Sequence, residues 1–128
     1  MDWHDAALIL AGVIGGCVAV VHGVLVQRLM VRPLAKVTFS DRRTAAIIKR
    51  LAPMLLHFST ICWFLGGLVL IAAAIWFEPQ ARLPTALFVG CLFLCGAVGN
   101  FWGTRGRHPG WILMTAAVML IAASVWPK

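Results

Sequence analysis

The chain has 128 residues, 62% of them hydrophobic and only 12% charged, with a mean hydropathy of +0.94 and a formal net charge of +7. So much apolar surface cannot be hidden in one small water-soluble core, which excludes a soluble globular domain and predicts an integral membrane protein. The basic balance, with a pI near 10.3, is confined to short loops beside apolar segments, so anionic lipid head groups are the expected partner and nucleic acid is not.

An apolar helix needs about 20 residues to cross the ~30 Å hydrocarbon layer. Four segments qualify: Ala6–Met30, Pro53–Phe77, Thr85–Trp102 and Trp111–Trp126. The last two are shorter, and interfacial tryptophans with snorkelling basic side chains would accommodate them. The expected fold is therefore all-α, an integral membrane four-helix bundle forming a single transmembrane domain over residues 1–128. In the first segment "IGGC" at Ile14–Cys17 loosely resembles a lipobox. The chain opens Met-Asp-Trp-His-Asp rather than with a basic stretch, and its hydrophobicity continues past Cys17, so Cys17 is placed inside helix one.

Between the first two segments, "SDRRTAAIIKRL" reads as a short amphipathic interfacial helix over about 41–51. Ser40 would be its N-cap, with Ala45, Ile47, Ile48 and Leu51 toward lipid and Arg42, Arg43, Lys49 and Arg50 toward head groups; Pro53 then starts helix two. "EPQARLP" reads as a tight turn with a proline at each end, and "GTRGRHPG" as a basic, glycine-rich loop. Nine basic residues (Arg28, Arg32, Lys36, Arg42, Arg43, Lys49, Arg50, Arg105 and Arg107) would lie on one side, against Arg82 and Lys128 on the other. The positive-inside rule then places the 28–52 and 103–110 loops in the cytoplasm, and the EPQARLP turn and both termini outside, in a bacterial-type inner membrane. Trp3, Trp76 and Trp126 would mark the outer boundary and Trp102 and Trp111 the inner one, leaving Trp63 at mid-depth.

Small residues recur at four-residue steps in helix one, Ala11, Gly15 and Ala19 beside Gly12 and Gly16, and in helix three at Gly96, Gly99 and Gly103. Such ladders are expected to be interhelical contacts, within the bundle or between protomers. Segments 16–33 and 90–109 both begin Gly-Cys and end in a basic cluster with proline, but they fall out of step and do not establish a duplication. Cys17, Cys62, Cys91 and Cys95 all lie within predicted helices, where cysteine packs as a small hydrophobe rather than forming an extracytoplasmic disulfide framework.

The chemistry-bearing residues inside the apolar runs are two histidines. His22 lies six residues from Arg28 and His57 seven from Arg50, so both sit about 9–10 Å into the bundle from the same interface. One reading makes them hydrogen-bonding pegs between helices, to a backbone carbonyl or to Ser59 or Thr60. The other makes them a ligand site, the default for an ionisable group within a membrane. Neutral imidazoles from facing helices would form an axial pair for haem b, with Arg28, Arg50 and Arg105 as cations for its propionates. Cys17 and Cys62 lie five positions from His22 and His57, roughly 140° around the helix, so a four-ligand His/Cys metal centre is not expected. The other redox option is a quinone, its carbonyls held by a histidine and Asn100 or Gln27 and its ring flanked by Trp63 or Phe64.

"HFSTICWFLGGLVL", with His57, Trp63, Gly66 and Gly67, resembles the His-then-Trp-Gly-Gly helix of the copper-resistance D and haem-binding protoporphyrinogen oxidase-like small membrane proteins. The resemblance covers one helix, implies haem or copper, and carries over His57 alone; oxidase activity does not follow from it. A small multidrug-type transporter needs a membrane-embedded acid, and none of the four predicted membrane-spanning segments contains Asp or Glu. Neither a catalytic triad nor a phosphate-binding loop is present, so no enzyme activity is assigned. The competing expectation is a noncatalytic accessory or assembly subunit, a homo-oligomer or part of a larger membrane complex.

Overall fold

The computed structural model describes residues 2–125. Trp126 and Lys128, which figured in the boundary and charge patterns, lie outside the described residues. The described residues are helical throughout apart from short connections, with no β-strand among them. Helix α1 spans Trp3–Val26, followed without a break by a π-helical turn over Gln27–Val31 and by α2, Arg32–Lys36. Helices α3, Arg42–Trp76, α4, Pro79–Thr104, and α5, Gly110–Val125, complete the chain. Three helical stretches, Trp3–Lys36, Arg42–Trp76 and Pro79–Thr104, are long and apolar enough to cross a membrane, and Gly110–Val125 is a shorter apolar helix.

Three boundaries differ from those predicted. The interfacial helix and helix two are one 35-residue helix, with Pro53 inside it rather than at its start. Proline removes one intrahelical donor, and the carbonyl four residues back belongs to exposed Lys49, so the break costs little burial. The proline-flanked turn contracts to Phe77–Glu78: Pro79 begins α4, where a missing N–H costs nothing, and Pro84 lies inside the helix. Helix one runs beyond Met30 because the π turn inserts a residue without ending it.

Asp41, not Ser40, caps α3. Its backbone is extended and its carboxylate accepts from the amides of Arg43 (3.1 Å) and Thr44 (2.9 Å) and from the Thr44 hydroxyl. Hydrogen bonding, first from the Thr44 side chain and then from the two amides, holds this carboxyl below its ordinary range. A depressed folded-state pKa contributes stability that is present above the unfolded value and lost as pH falls through the folded one. Acidification below the ordinary carboxylate range should therefore lower the exchange protection of the Arg43 and Thr44 amides, measured against their intrinsic rates at the same pH, and Asp41→Ala should lower it at neutral pH. Equal protection in wild type and variant at neutral pH would remove the cap from the account.

Helix α1 packs on α3, α3 on α4, α4 on α5, and α5 returns to α1. Neighbours run antiparallel: Gly12 meets Gly67 while Gly23 meets Thr60, and Gly90 meets Ile121 while Gly96 meets Met114. Within a bilayer, apolar side chains would have no drive to leave lipid, and close backbone approach would supply the packing energy. At the α1–α3 crossing a Cβ on Gly67 would stand 2.5 Å from the Gly12 carbonyl oxygen, and one on Gly12 would stand 2.5 Å from that of Gly67. Phe93, fully buried with Leu70, Val89 and Met114, fills the bundle centre and lays its ring against Gly15 and Gly66.

The end of the bundle that holds the N-terminus is tied by polar contacts. Arg82 on α4 pairs with Asp5 on α1 at 2.7 Å and donates to the Phe77 and Ala74 carbonyls at the end of α3. Both carbonyls belong to the last turn and cap of α3, so one guanidinium serves three acceptors and ties α4 to α1 and to the end of α3. His4 Nδ1 lies 2.8 Å from the Ser124 carbonyl and joins α1 to α5.

Candidate functional site: a cavity between α3 and α4

Toward the opposite end, near the 105–109 turn, a cavity of about 600 Å³ lies among α1, α3 and α4. That volume is within the usual range of about 300–1,000 Å³ for small-molecule sites. Its walls are mainly apolar, including Leu25, Leu29, Leu56 and Leu92, and Phe58, Cys62 and Cys95 also border it. Phe58 and Cys95 are exposed on the outer surface of the bundle, so the cavity opens sideways between α3 and α4.

His22 stands on the α1 wall. Its ring lies 4.7 Å from that of Trp63, centroid to centroid, at an interplanar angle of 56°. Trp63 in turn is seated against Gly96, where a Cβ would be 2.7 Å from the indole. Among the described residues neither ring nitrogen of His22 makes a hydrogen bond to the protein. His22 is half-buried and its ring nitrogens are not sealed from their surroundings, which leaves them free to bond a molecule in the cavity.

Further polar side chains border the same space, and two of them, Ser59 and Thr104, give their hydroxyls to carbonyls of their own helices. Asn100 on α4 gives one N–H to the Gly96 carbonyl at 3.1 Å, a bond within its own helix, and His108 from the 105–109 turn reaches the cavity at the loop end. Gly99 and Gly103 also line it, and a Cβ on either would meet nothing within 4 Å. The helix-three ladder predicted as a helix contact is thus split: Gly96 packs against Trp63 and Met114, whereas Gly99 and Gly103 leave open space.

The predicted site residues divide in the same way. His22, Trp63 and Asn100 share the cavity. His57 does not line it; its Nε2 lies 3.0 Å from Gln27 Oε1, and since that oxygen only accepts, the ring donates. Gln27 begins the π turn, so this bond ties α3 to the irregular stretch that follows α1. Arg28, Arg50 and Arg105 are exposed and off the cavity wall, and Phe64 borders a separate shallow groove with Leu68 and Ile71. Among the described residues no group of three His, Cys, Asp or Glu side chains converges to hold a metal ion.

His108 is the residue that sequence reading missed. It stands in a loop among arginines, and what could have found it is its place just before an apolar helix, where a side-chain acceptor serves as a cap. No protein-family model, curated protein or solved structure matches the chain.

Proposed function

We propose that this is a four-helix membrane protein that binds a lipid-soluble, ring-bearing molecule of the quinone class in the cavity between α3 and α4. Both termini would face outward and the basic loops the cytoplasm. The observation that carries the reading is His22: an imidazole without a protein partner, beside an indole, on the wall of a largely apolar cavity that opens toward the lipid. A planar apolar ring would pack against Trp63, and its carbonyls would find donors in His22 and in Asn100. Access would be lateral, from the bilayer, as suits a ligand that partitions there. Of the two redox options open from the sequence, the quinone arrangement uses the three residues that share the cavity. A His22/His57 axial pair for haem b would draw on a histidine already engaged by Gln27 and on cations that stand off the wall.

The test is a titration of the protein in nanodiscs with menadione, read by tryptophan fluorescence. Saturable quenching should appear in wild type, vanish in Trp63→Phe, and persist in His57→Ala with an affinity changed less than about twofold, since that side chain lies off the wall. Quenching that rises linearly and is the same in all three proteins would overturn the proposal. A Soret band in protein purified from haem-replete native membranes, lost in both His22→Ala and His57→Ala, would replace it with haem ligation. Colourless protein that does not bind menadione and co-purifies stoichiometrically with another subunit would replace it with the accessory role.

A further inference from the structure

If the cavity is a ligand site, as proposed above, the 105–109 turn meets the ligand's polar end through His108. His108 Nδ1 accepts the backbone N–H of Gly110 at 3.0 Å. A ring nitrogen that accepts carries no proton, so the neutral imidazole must hold its proton on Nε2. The edge bearing Nδ1 is spent on the first turn of α5, and Nε2–H, on the other side of the ring, makes no hydrogen bond among the described residues. We propose that His108 is the specificity residue of the cavity: it presents a fixed N–H donor at the loop end and so selects rings that carry an acceptor oxygen, such as a quinone carbonyl, over hydrocarbon rings of the same shape.

The turn that carries His108 is held at several points, which makes the donor preorganised rather than mobile. Helix α4 ends with Arg105 and Gly106 in the left-handed region (φ 51° and 72°), and Gly106 N–H returns to the Phe101 carbonyl at 2.8 Å. That is a common way to close a helix, and glycine takes the second position without strain. Trp111 Nε1 donates to the Gly106 carbonyl at 3.2 Å and its ring meets Phe101 edge-on at 5.1 Å, so α5 grips the turn from the far side. His108 N–H lies 3.4 Å from Thr104 Oγ1, which donates to Asn100 O at 2.6 Å. A Cβ at position 110 would stand 2.8 Å from His108 Nδ1, so the glycine there is what lets the imidazole settle on the helix end. A donor fixed before the ligand arrives loses little entropy on binding, which is how a single hydrogen bond becomes selective.

The experiment compares menadione with 2-methylnaphthalene, the same carbon skeleton without the carbonyls, by equilibrium dialysis against protein-loaded and empty nanodiscs. The quantity read is the ratio of the two affinities; comparing that ratio between variants cancels the ligands' different partition into lipid. His108→Asp retains an acceptor for the Gly110 amide but has no donor when ionised, so the ratio should fall about three- to tenfold, the range for one lost hydrogen bond, with the unfolding midpoint unchanged. His108→Asn offers both a cap oxygen and an N–H, and should restore part of the ratio. A role confined to capping α5 would leave the ratio at its wild-type value in all three proteins, and that result would overturn the inference while the cavity reading stood. If neither compound binds wild type saturably, both fall together.

Discussion

Gly67→Ala is expected to lower the stability of the bundle by about 1–3 kcal/mol, the usual cost of forcing atoms into a packed interior. The added methyl would lie 2.5 Å from the Gly12 carbonyl oxygen and 3.1 Å from the Gly16 nitrogen. Both obstacles are backbone and cannot rotate away as a side-chain end could. Relief requires α1 and α3 to separate, which gives up van der Waals contact along the crossing. Alanine gains about 1 kcal/mol of helix propensity over glycine, so the loss appears net of that gain. Gly16→Ala provides the internal comparison, because a Cβ there meets nothing within 4 Å and only the propensity gain remains. Gly12→Ala should resemble Gly67→Ala, and the double variant should cost less than the sum, since either substitution already opens the same contact. Unfolding midpoints in SDS titrations decide it: if Gly67→Ala and Gly16→Ala move the midpoint alike, the crossing is not held by glycine contact.

The all-helical class, with helices long and apolar enough to cross a membrane, was legible because long charge-poor runs are a property of the chain in one dimension. Continuity was not. Pro53 reads as a helix start, yet a proline inside a helix is tolerated where the residue that bears the orphaned carbonyl is exposed, as Lys49 is. The π turn at Gln27–Val31 has no residue signature at all, because it is an extra residue absorbed by the backbone rather than a side-chain preference.

Counting residues from the basic loops predicts one level for His22 and His57, but His57 stands opposite Gln27 and Gly23 opposite Thr60, so the two histidines do not face each other across the α1–α3 pair. Counting also says nothing about azimuth. Helices this uniformly apolar offer no polar face from which azimuth could be read. The structure turns His22 to the cavity and His57 to Gln27. The same blindness affects small residues: Gly96, Gly99 and Gly103 form one pattern in the sequence, although the first is pressed against Trp63 and the other two border a void. Spacing shows where a backbone could be approached, and only packing shows whether a helix, a side chain or a ligand does the approaching.

That distinction gives the second large expectation. Gly99→Leu/Gly103→Leu should weaken menadione binding by at least tenfold, which is about 1.4 kcal/mol, and leave the unfolding midpoint the same or slightly higher. The two positions are one helical turn apart on the face of α4 that lines the cavity, so the new side chains would stand side by side in the space proposed for the ring. Nothing in the bundle need move, because neither Cβ meets an atom within 4 Å. Leucine is also a better helix former than glycine by about 1 kcal/mol at each position, so stability has no reason to fall. Loss of binding with stability retained is the signature of a filled cavity, and it is the opposite of what Gly67→Ala should show, where the methyl meets protein instead of space. Were the double leucine variant to bind menadione as tightly as wild type, the ring would have to sit elsewhere, and His22 would lose its proposed partner. Were it to unfold as readily as Gly67→Ala, the glycines would be packing residues as the ladder first suggested, and the space beside them would not be a ligand site.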